Sequence, residues 1–131
     1  MEEARKQALL KAVSGEPFVR LMDIRLVDVG DGRAVCEMEY RQAMDNMHGG
    51  PHDGAVFSLI GEAFEVSSNS YGQTAVALNM NVNYIKPAKK GLLRAESVEV
   101  NRGRKTAMYK ITVEDREGLV AVCQALASLK K

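Results

Sequence analysis

The chain has 131 residues, of which 46% are hydrophobic and 27% are charged, and this composition predicts a single compact domain over residues 1–131. A net charge of +1 gives no reason to expect nucleic acid or an anionic membrane as a partner. No apolar run approaches the roughly 20 residues of a membrane span, and the charged segment Met1–Lys6 lacks the apolar core of a signal peptide, so we expect a cytoplasmic protein.

The two cysteines, Cys36 and Cys123, are too few and too far apart in sequence to indicate a disulfide framework or a zinc site. Both lie in segments with strand-like alternation of apolar and polar residues. We therefore expect two buried, reduced thiols.

The first part of the chain predicts a helix followed by a hairpin. Residues 2–14 have an apolar side and a charged side, and a glycine follows them, as is typical of a helix end. After a break at Glu16–Pro17, apolar and polar residues alternate over Leu21–Val29 and again over Arg33–Tyr40. The turn at residues 30–32 between these segments completes a β-hairpin signature.

A glycine-rich loop over residues 46–54 leads into a predicted helix over residues 54–69. Apolar residues recur there at three- and four-residue spacing, and Phe57 widens the apolar face. The repeating positions are Val56, Leu59, Ile60, Ala63 and Phe64. Such a helix needs to be wrapped by other elements, and its free N-terminal N–H groups favour an anion or a developing oxyanion.

The remainder of the chain predicts four strands with short turns, which implies antiparallel pairing. The clearest period of two covers residues 76–84, with apolar residues on one side and Asn79, Asn81 and Asn83 on the other. These asparagines need a dimer interface, a wet substrate cleft or plain solvent as a partner. The most economical arrangement is an α+β fold in which a curved antiparallel sheet is wrapped around the central helix. The remaining strands are predicted over residues 91–100, 105–114 and 119–129.

The residues of this central region match a known motif. That motif has an asparagine, a glycine, a His-Gly-Gly step, a Phe-x-Leu step and an acid early in the helix. Here the matching positions are Asn46, Gly49, His52-Asp53-Gly54, Phe57-Ser58-Leu59 and Gly61. Residues 81–88 and 101–107 also look like a strand and a basic turn of the same family. The chain thus resembles the hotdog-fold acyl-CoA thioesterases of the phenylacetate-degradation (PaaI-like) type.

The resemblance implies homodimers that pair into tetramers, with active sites at the dimer interface. It places the thioester carbonyl against the backbone N–H of position 53 and Asn46 near the reacting centre. The central helix of the partner subunit supplies the acid. Coenzyme A enters as part of the acyl-CoA substrate, and no other cofactor is implied. Catalysis in this family requires a carboxylate that activates water or attacks the thioester, while the helix N-terminus stabilises the oxyanion.

Two residues depart from the family pattern. Gly61 stands where the acid is expected, and glycine inside a helix costs about 1 kcal/mol relative to alanine. Asp53 replaces the middle glycine; it keeps the N–H group, but an ionised carboxylate would repel the oxyanion.

Three interpretations of Gly61 follow. In the first, another carboxylate replaces the missing acid. Glu65 lies one turn further along the same helix face as position 61, and Glu62 points about 100° away from it around the helix. Asp53 could approach position 61 only from the other subunit. Alternatively the chain binds acyl-CoA without hydrolysing it, or Gly61 is an inactivating change. Hydrolysis is the function that we favour, ahead of a hotdog hydratase and of a non-catalytic interaction domain.

Each candidate residue also has an ordinary structural role. Glu62 and Glu65 are by default solvated or ion-paired, and His52 is by default a hydrogen-bonding loop residue. Asn46 either orders its loop through an Asx turn or acts on the substrate. His48 and His52 lack the helical spacing of a metal pair, so no metal is expected.

A basic turn and a lysine give the predicted CoA-binding group. A charged turn is usually just solvated, but CoA carries phosphates that arginine and lysine bind well. The candidate positions are Lys86, Arg102, Arg104, Lys105 and Thr106.

Overall fold

The computed structural model describes residues 1–130, and within that range it contains three α-helices, one short 3₁₀ helix and a six-stranded antiparallel sheet. The helices are α1 (Glu3–Ser14), α2 (Pro17–Met22) and α3 (Asp53–Ser68), and the 3₁₀ helix is Gln42–Met44. The strands are β1 (Arg25–Gly30), β2 (Arg33–Tyr40), β3 (Ala75–Tyr84), β4 (Gly91–Arg102), β5 (Thr106–Asp115) and β6 (Gly118–Leu129). Their order across the sheet is β1-β2-β4-β5-β6-β3, which leaves β1 and β3 at the edges.

The sheet curls around α3, which contacts all six of these strands. Leu59 and Ile60 of α3 are completely buried, as are Met38 of β2 and Ile111 of β5. Full burial of one such side chain contributes about 1.5–3 kcal/mol, so the helix and the sheet stabilise each other. The predicted hotdog arrangement is therefore confirmed.

The segment after α1 differs from the prediction, because Leu21 and Met22 end a short helix instead of starting a strand. Pro17 occupies the first turn of α2, where its fixed φ and missing N–H are no disadvantage. Asp23 ends the helix in a left-handed conformation with φ of 55°, and β1 begins only at Arg25.

The apolar face predicted for β3 is divided by a β-bulge. The pairing with β6 shifts register between Ala77 and Asn79, so residues before and after the bulge exchange faces. Ala75 is buried and Met80 packs against the core, whereas Leu78 is 59% exposed. The prediction of one continuous apolar face over residues 76–84 is therefore wrong.

Cys36 and Cys123 are both free and buried, as expected. Burial and the nearby Glu62 carboxyl raise the pKa of Cys36 to about 12, so this thiol stays protonated. In the part of the chain that the structure covers, no helix combines the length and apolar character needed to cross a bilayer.

Candidate active site

The loop before α3 is ordered by the side chain of Asn46. Its Oδ1 accepts hydrogen bonds from the backbone N–H groups of His48 at 2.8 Å and Gly50 at 3.1 Å. Its Nδ2 donates to the carbonyl oxygen of Pro51 at 3.3 Å. Asn46 therefore has the loop-ordering role, and it also borders the cleft in front of α3. A role on the substrate stays a prediction.

His52 caps the start of α3. Its Nδ1 accepts a hydrogen bond from the backbone N–H of Gly54 at 2.8 Å, so a neutral ring carries its proton on Nε2. A Cβ atom at position 54 would lie 2.9 Å from that Nδ1, which explains the need for glycine there. Because Nδ1 is engaged, His52 serves as a cap and Nδ1 is not free to take a proton from water.

The backbone N–H of Asp53, in contrast, has no acceptor within residues 1–130. It is the first residue of a 16-residue helix, where the helix dipole places partial positive charge. Asp53, Asn46 and Tyr84 line a cleft of about 380 Å³, which we call the N-terminal cleft. Tyr84 supports this helix start, since its hydroxyl donates to the carbonyl oxygen of Asp53 at 3.4 Å.

One wall of the N-terminal cleft is held by a buried ion pair. The Nζ of Lys86 lies 2.7 Å from the carboxylate of Asp115, whose side chain is 1% exposed. The same carboxylate accepts from the N–H groups of Lys89 at 2.9 Å and Glu117 at 2.8 Å. Burial alone would raise the pKa of Asp115, but Lys86 and the two N–H groups outweigh it and lower the pKa to about 2. Lys86 is thus already paired, which weakens its predicted role as a phosphate ligand.

Gly61 leaves open space on the outer side of α3. Apart from its chain neighbours and the backbone of α3 itself, no atom of residues 1–130 lies within 4 Å of the position that a Cβ would take there. A second cleft of about 370 Å³, the Gly61 cleft, is lined by this glycine together with Phe57, Glu62 and Glu65. A larger residue at position 61 would therefore fit without displacing its neighbours.

Glu62 does not have the solvated position that a helix glutamate has by default, because it is only 5% exposed. It faces Glu65 and also Glu16, which precedes α2. Burial and the neighbouring Glu16 raise the pKa of Glu62 to about 9, and the same two causes raise the pKa of Glu65 to about 7. Glu65 is the exposed member of this group. The prediction that Glu62 is solvated or ion-paired is therefore wrong.

Arg102 is committed to the fold. Its guanidinium lies 4.2 Å from the centroid of the Tyr71 ring, and it donates to Gln73 at 2.9 Å and to the Tyr109 hydroxyl at 3.3 Å. Cation–π and charged hydrogen bonds of this kind order the side chain. The predicted CoA contact of Arg102 therefore competes with three structural contacts.

Arg104, Lys105 and Thr106 are exposed, but they lie far from the N-terminal cleft of the same chain. Thr106 begins β5 and Asp115 ends it, so at about 3.3 Å per residue the turn lies about 30 Å from the Lys86–Asp115 pair. The sequence grouped these residues into one site, whereas one copy of the chain holds them at opposite ends of a strand.

Within residues 1–130 one group of three potential metal ligands lies together, formed by Glu16, Glu62 and Glu65, and neither His48 nor His52 belongs to it. No sequence pattern pointed to Glu16, because a lone glutamate between a glycine and a proline carries no recognisable signal. Tyr84 and Asp115 were also missed, because their partners Asp53 and Lys86 are distant from them in sequence.

Comparison with known proteins identifies the family of this chain. Residues 48–122 match the thioesterase superfamily. A protein of Archaeoglobus fulgidus that is provisionally named an esterase is 34% identical over 118 residues, covering 86% of this chain and 77% of that protein. Acyl-coenzyme A thioesterase PaaI of Escherichia coli is 28% identical over 99 residues, covering 75% of this chain and 71% of that protein.

Solved structures share the same fold. The E. coli PaaI protein from the phenylacetic acid degradation operon superposes with a TM-score of 0.92 at 25% identity, over 97% of this chain and 94% of that chain. A variant of the phenylacetic acid degradation protein PaaI from Thermus thermophilus gives a TM-score of 0.83 at 32% identity, over 88% of this chain and 100% of that chain.

Proposed function

Because the chain belongs to the thioesterase superfamily of hotdog-fold thioester hydrolases, we propose that it hydrolyses an acyl-CoA or aryl-CoA thioester to the free acid and CoA. The observation that carries this proposal is the unpartnered N–H of Asp53 at the start of α3, opening on the N-terminal cleft. The substrate class comes from the relatives, and the position of the reacting carbonyl comes from the helix start.

The thioester carbonyl oxygen accepts from the N–H of Asp53 in this mechanism. As water attacks the carbonyl carbon, negative charge grows on that oxygen, and a fixed donor at a helix N-terminus stabilises it. The C–S bond then breaks, and the departing thiolate takes up a proton to give CoA.

The attacking water needs a base, and Gly61 has no side chain to provide one. We assign this role to Glu65 of a second copy. It is exposed, lines the Gly61 cleft, and lies one helical turn beyond the position where the family has an acid. Within one chain Asp53 and Gly61 are separated by about 12 Å along α3, so a base near Gly61 can serve a helix start only in another subunit.

A homodimer with active sites at its interface is consistent with two further features. β3 is an edge strand, so its backbone groups are available to pair with a second sheet. The turn at Arg104–Thr106 lies about 30 Å from its own N-terminal cleft along β5, so a CoA bound there would meet this turn only from a partner copy. We propose this dimer as the active unit, with tetramers formed from it, in the cytoplasm.

Turnover of a panel of aryl- and acyl-CoA thioesters, with a chelator present, tests the proposal. Replacing the base in Glu65→Gln should lower kcat by about 100-fold or more, the usual contribution of general-base catalysis. Glu114→Gln, an exposed glutamate on β5, is the matched control and should leave kcat unchanged.

A second substitution separates the role of the base from damage to the fold. The open space at position 61 accommodates a side chain, so Gly61→Asp combined with Glu65→Gln should recover much of the lost rate. Full activity of Glu65→Gln would exclude Glu65 as the base. Absence of turnover with every thioester of the panel would contradict the substrate class.

A further inference from the structure

Three carboxylates from two elements converge at the edge of the Gly61 cleft. Glu16 precedes α2, and Glu62 and Glu65 lie on α3. One oxygen of each lies within 4.8 Å of the other two. No lysine, arginine or histidine of residues 1–130 forms an ion pair with any of them. The cluster therefore gathers three acidic groups with no protein cation to balance the charge that they carry when ionised.

Glu62 is the member that needs a partner most. Its side chain is 5% exposed, and its Oε2 is buried with no hydrogen bond to any residue that the structure describes. An ionised carboxylate in such a position is strongly unfavourable unless something else balances its charge. Buried unsatisfied oxygens are rare in folded proteins, and a bound ion is one of their ordinary explanations.

We propose that Glu16, Glu62 and Glu65 bind a hard divalent cation, with Ca²⁺ as the best fit. All three ligands are carboxylate oxygens, which Ca²⁺ and Mg²⁺ prefer over transition metals. The three oxygens lie within 4.8 Å of one another, so they can meet on one ion. Ca²⁺ accepts flexible coordination by carboxylates, whereas Mg²⁺ demands a near-ideal octahedron and keeps most of its waters, so side chains from two separate elements suit Ca²⁺ better.

The surroundings allow a hydrated ion to enter. The three carboxylates line the Gly61 cleft of about 370 Å³, which leaves room for the waters that complete the coordination of the ion. The missing side chain at Gly61 keeps this approach open. The carboxylate of Glu16 makes no capping hydrogen bond to α2, so it is free to turn toward the ion.

Cation binding does not depend on the proposed function, but the expected effect of the cation on hydrolysis does. A bound ion would occupy Glu65, so added Ca²⁺ should slow hydrolysis if Glu65 is the base. Glu16→Gln should lose the inhibition by Ca²⁺, measured against the rate of the same variant without Ca²⁺, because Glu16 also influences the pKa of Glu65.

Calorimetric titration of the chelator-treated full chain with Ca²⁺, Mg²⁺ and Mn²⁺ tests the site, with thermal unfolding in the same ions as a second readout. We expect about one Ca²⁺ per chain, bound more tightly than Mg²⁺, and a rise in Tm by mass action. Glu62→Gln and Glu16→Gln should each weaken Ca²⁺ binding at least about tenfold, the scale of loss expected when a metal site loses one of its supporting groups. Glu114→Gln, which lies outside the cluster, should bind as the unmodified chain does.

No response to millimolar cations, or equal Ca²⁺ affinity in Glu62→Gln, would overturn the site and mean that the cluster is neutralised by protons alone. If Glu62→Gln does not fold, Glu16→Gln decides the question, because that side chain makes no capping bond. Binding of Ca²⁺ without any effect on hydrolysis would leave the site standing and would count against Glu65 as the base.

Discussion

Asp53 contributes two opposing groups to the proposed chemistry. Its backbone N–H is the donor that stabilises the oxyanion, while its exposed carboxylate places negative charge close to the same point. The neighbouring backbone N–H groups are both engaged, that of His52 with the carbonyl oxygen of Met44 and that of Gly54 with the His52 ring, so neither competes with the N–H of Asp53. The backbone group at position 53, and not its side chain, is the part on which hydrolysis depends.

Proline at position 53 removes that donor with little other change. Proline is favoured at the first helical position, and His52 already has the extended conformation, with φ of −74° and ψ of 130°, that a residue before proline requires. Asp53→Pro should therefore fold normally and lose about 100- to 1,000-fold in kcat, as expected for the loss of one oxyanion donor. Asp53→Ala keeps the N–H and should match or exceed the unmodified rate. Equal rates for the two variants, measured with the same thioester, would exclude the N–H as the donor.

At the scale of secondary-structure elements, the sequence predicted the helices and strands whose structure is decided by local residue patterns. The 3.6-residue repeat of Leu59, Ile60 and Ala63 located α3, because one face of that helix meets a uniform apolar sheet. The hairpin of β1 and β2 followed from alternation around a turn, although the early residues of the first alternating segment form α2. The helix Pro17–Met22 was missed because six residues are too few for a periodic signal.

The remaining differences arise from contacts between distant parts of the chain. The bulge between Ala77 and Asn79 depends on how β3 pairs with β6, which no local pattern records. The convergence of Glu16 with α3 depends on where α2 docks. The sequence thus predicted the loop and helix start that border the N-terminal cleft. It did not reveal that Glu62 is buried, or that the turn at Arg104–Thr106 is remote from the N-terminal cleft of the same chain.

The segment between β3 and β4 depends on the buried carboxylate of Asp115, and its stability should depend on pH. The pKa of this carboxyl is lowered from the usual 3.8 to about 2 in the folded chain. The stabilisation is therefore complete above about pH 4 and is lost as the pH falls through about 2, and it amounts to about 2 kcal/mol. Urea unfolding should show this loss between pH 4 and pH 2 in the unmodified chain.

Variants identify the source of that pH dependence. Asp115→Asn should lower the free energy of unfolding at pH 7 and flatten its dependence on pH below 4. Asp23→Asn is a suitable control, since Asp23 is exposed and asparagine tolerates its left-handed conformation. An unchanged acid limb in Asp115→Asn would show that other carboxyls control acid unfolding.

At the scale of the whole molecule, the proposed active site is divided between two copies. One copy supplies the start of α3 and the N-terminal cleft; the other supplies Glu65 and the turn at Arg104–Thr106. Within one chain, the start of α3 lies about 18 Å from Glu65 along the helix, and the turn lies about 30 Å from the N-terminal cleft along β5. An exposed edge strand such as β3 offers the backbone groups for joining two sheets. The proposed site therefore requires an oligomer for activity.

Mixing two inactive variants tests this division most directly. Asp53→Pro lacks the donor and Glu65→Gln lacks the base, so a mixed dimer contains one site with both defects and one intact site. After equal amounts of the two variants are unfolded together and refolded, random pairing should restore about a quarter of the unmodified rate per chain. A mixture that stays as inactive as its components would contradict an active site shared between subunits.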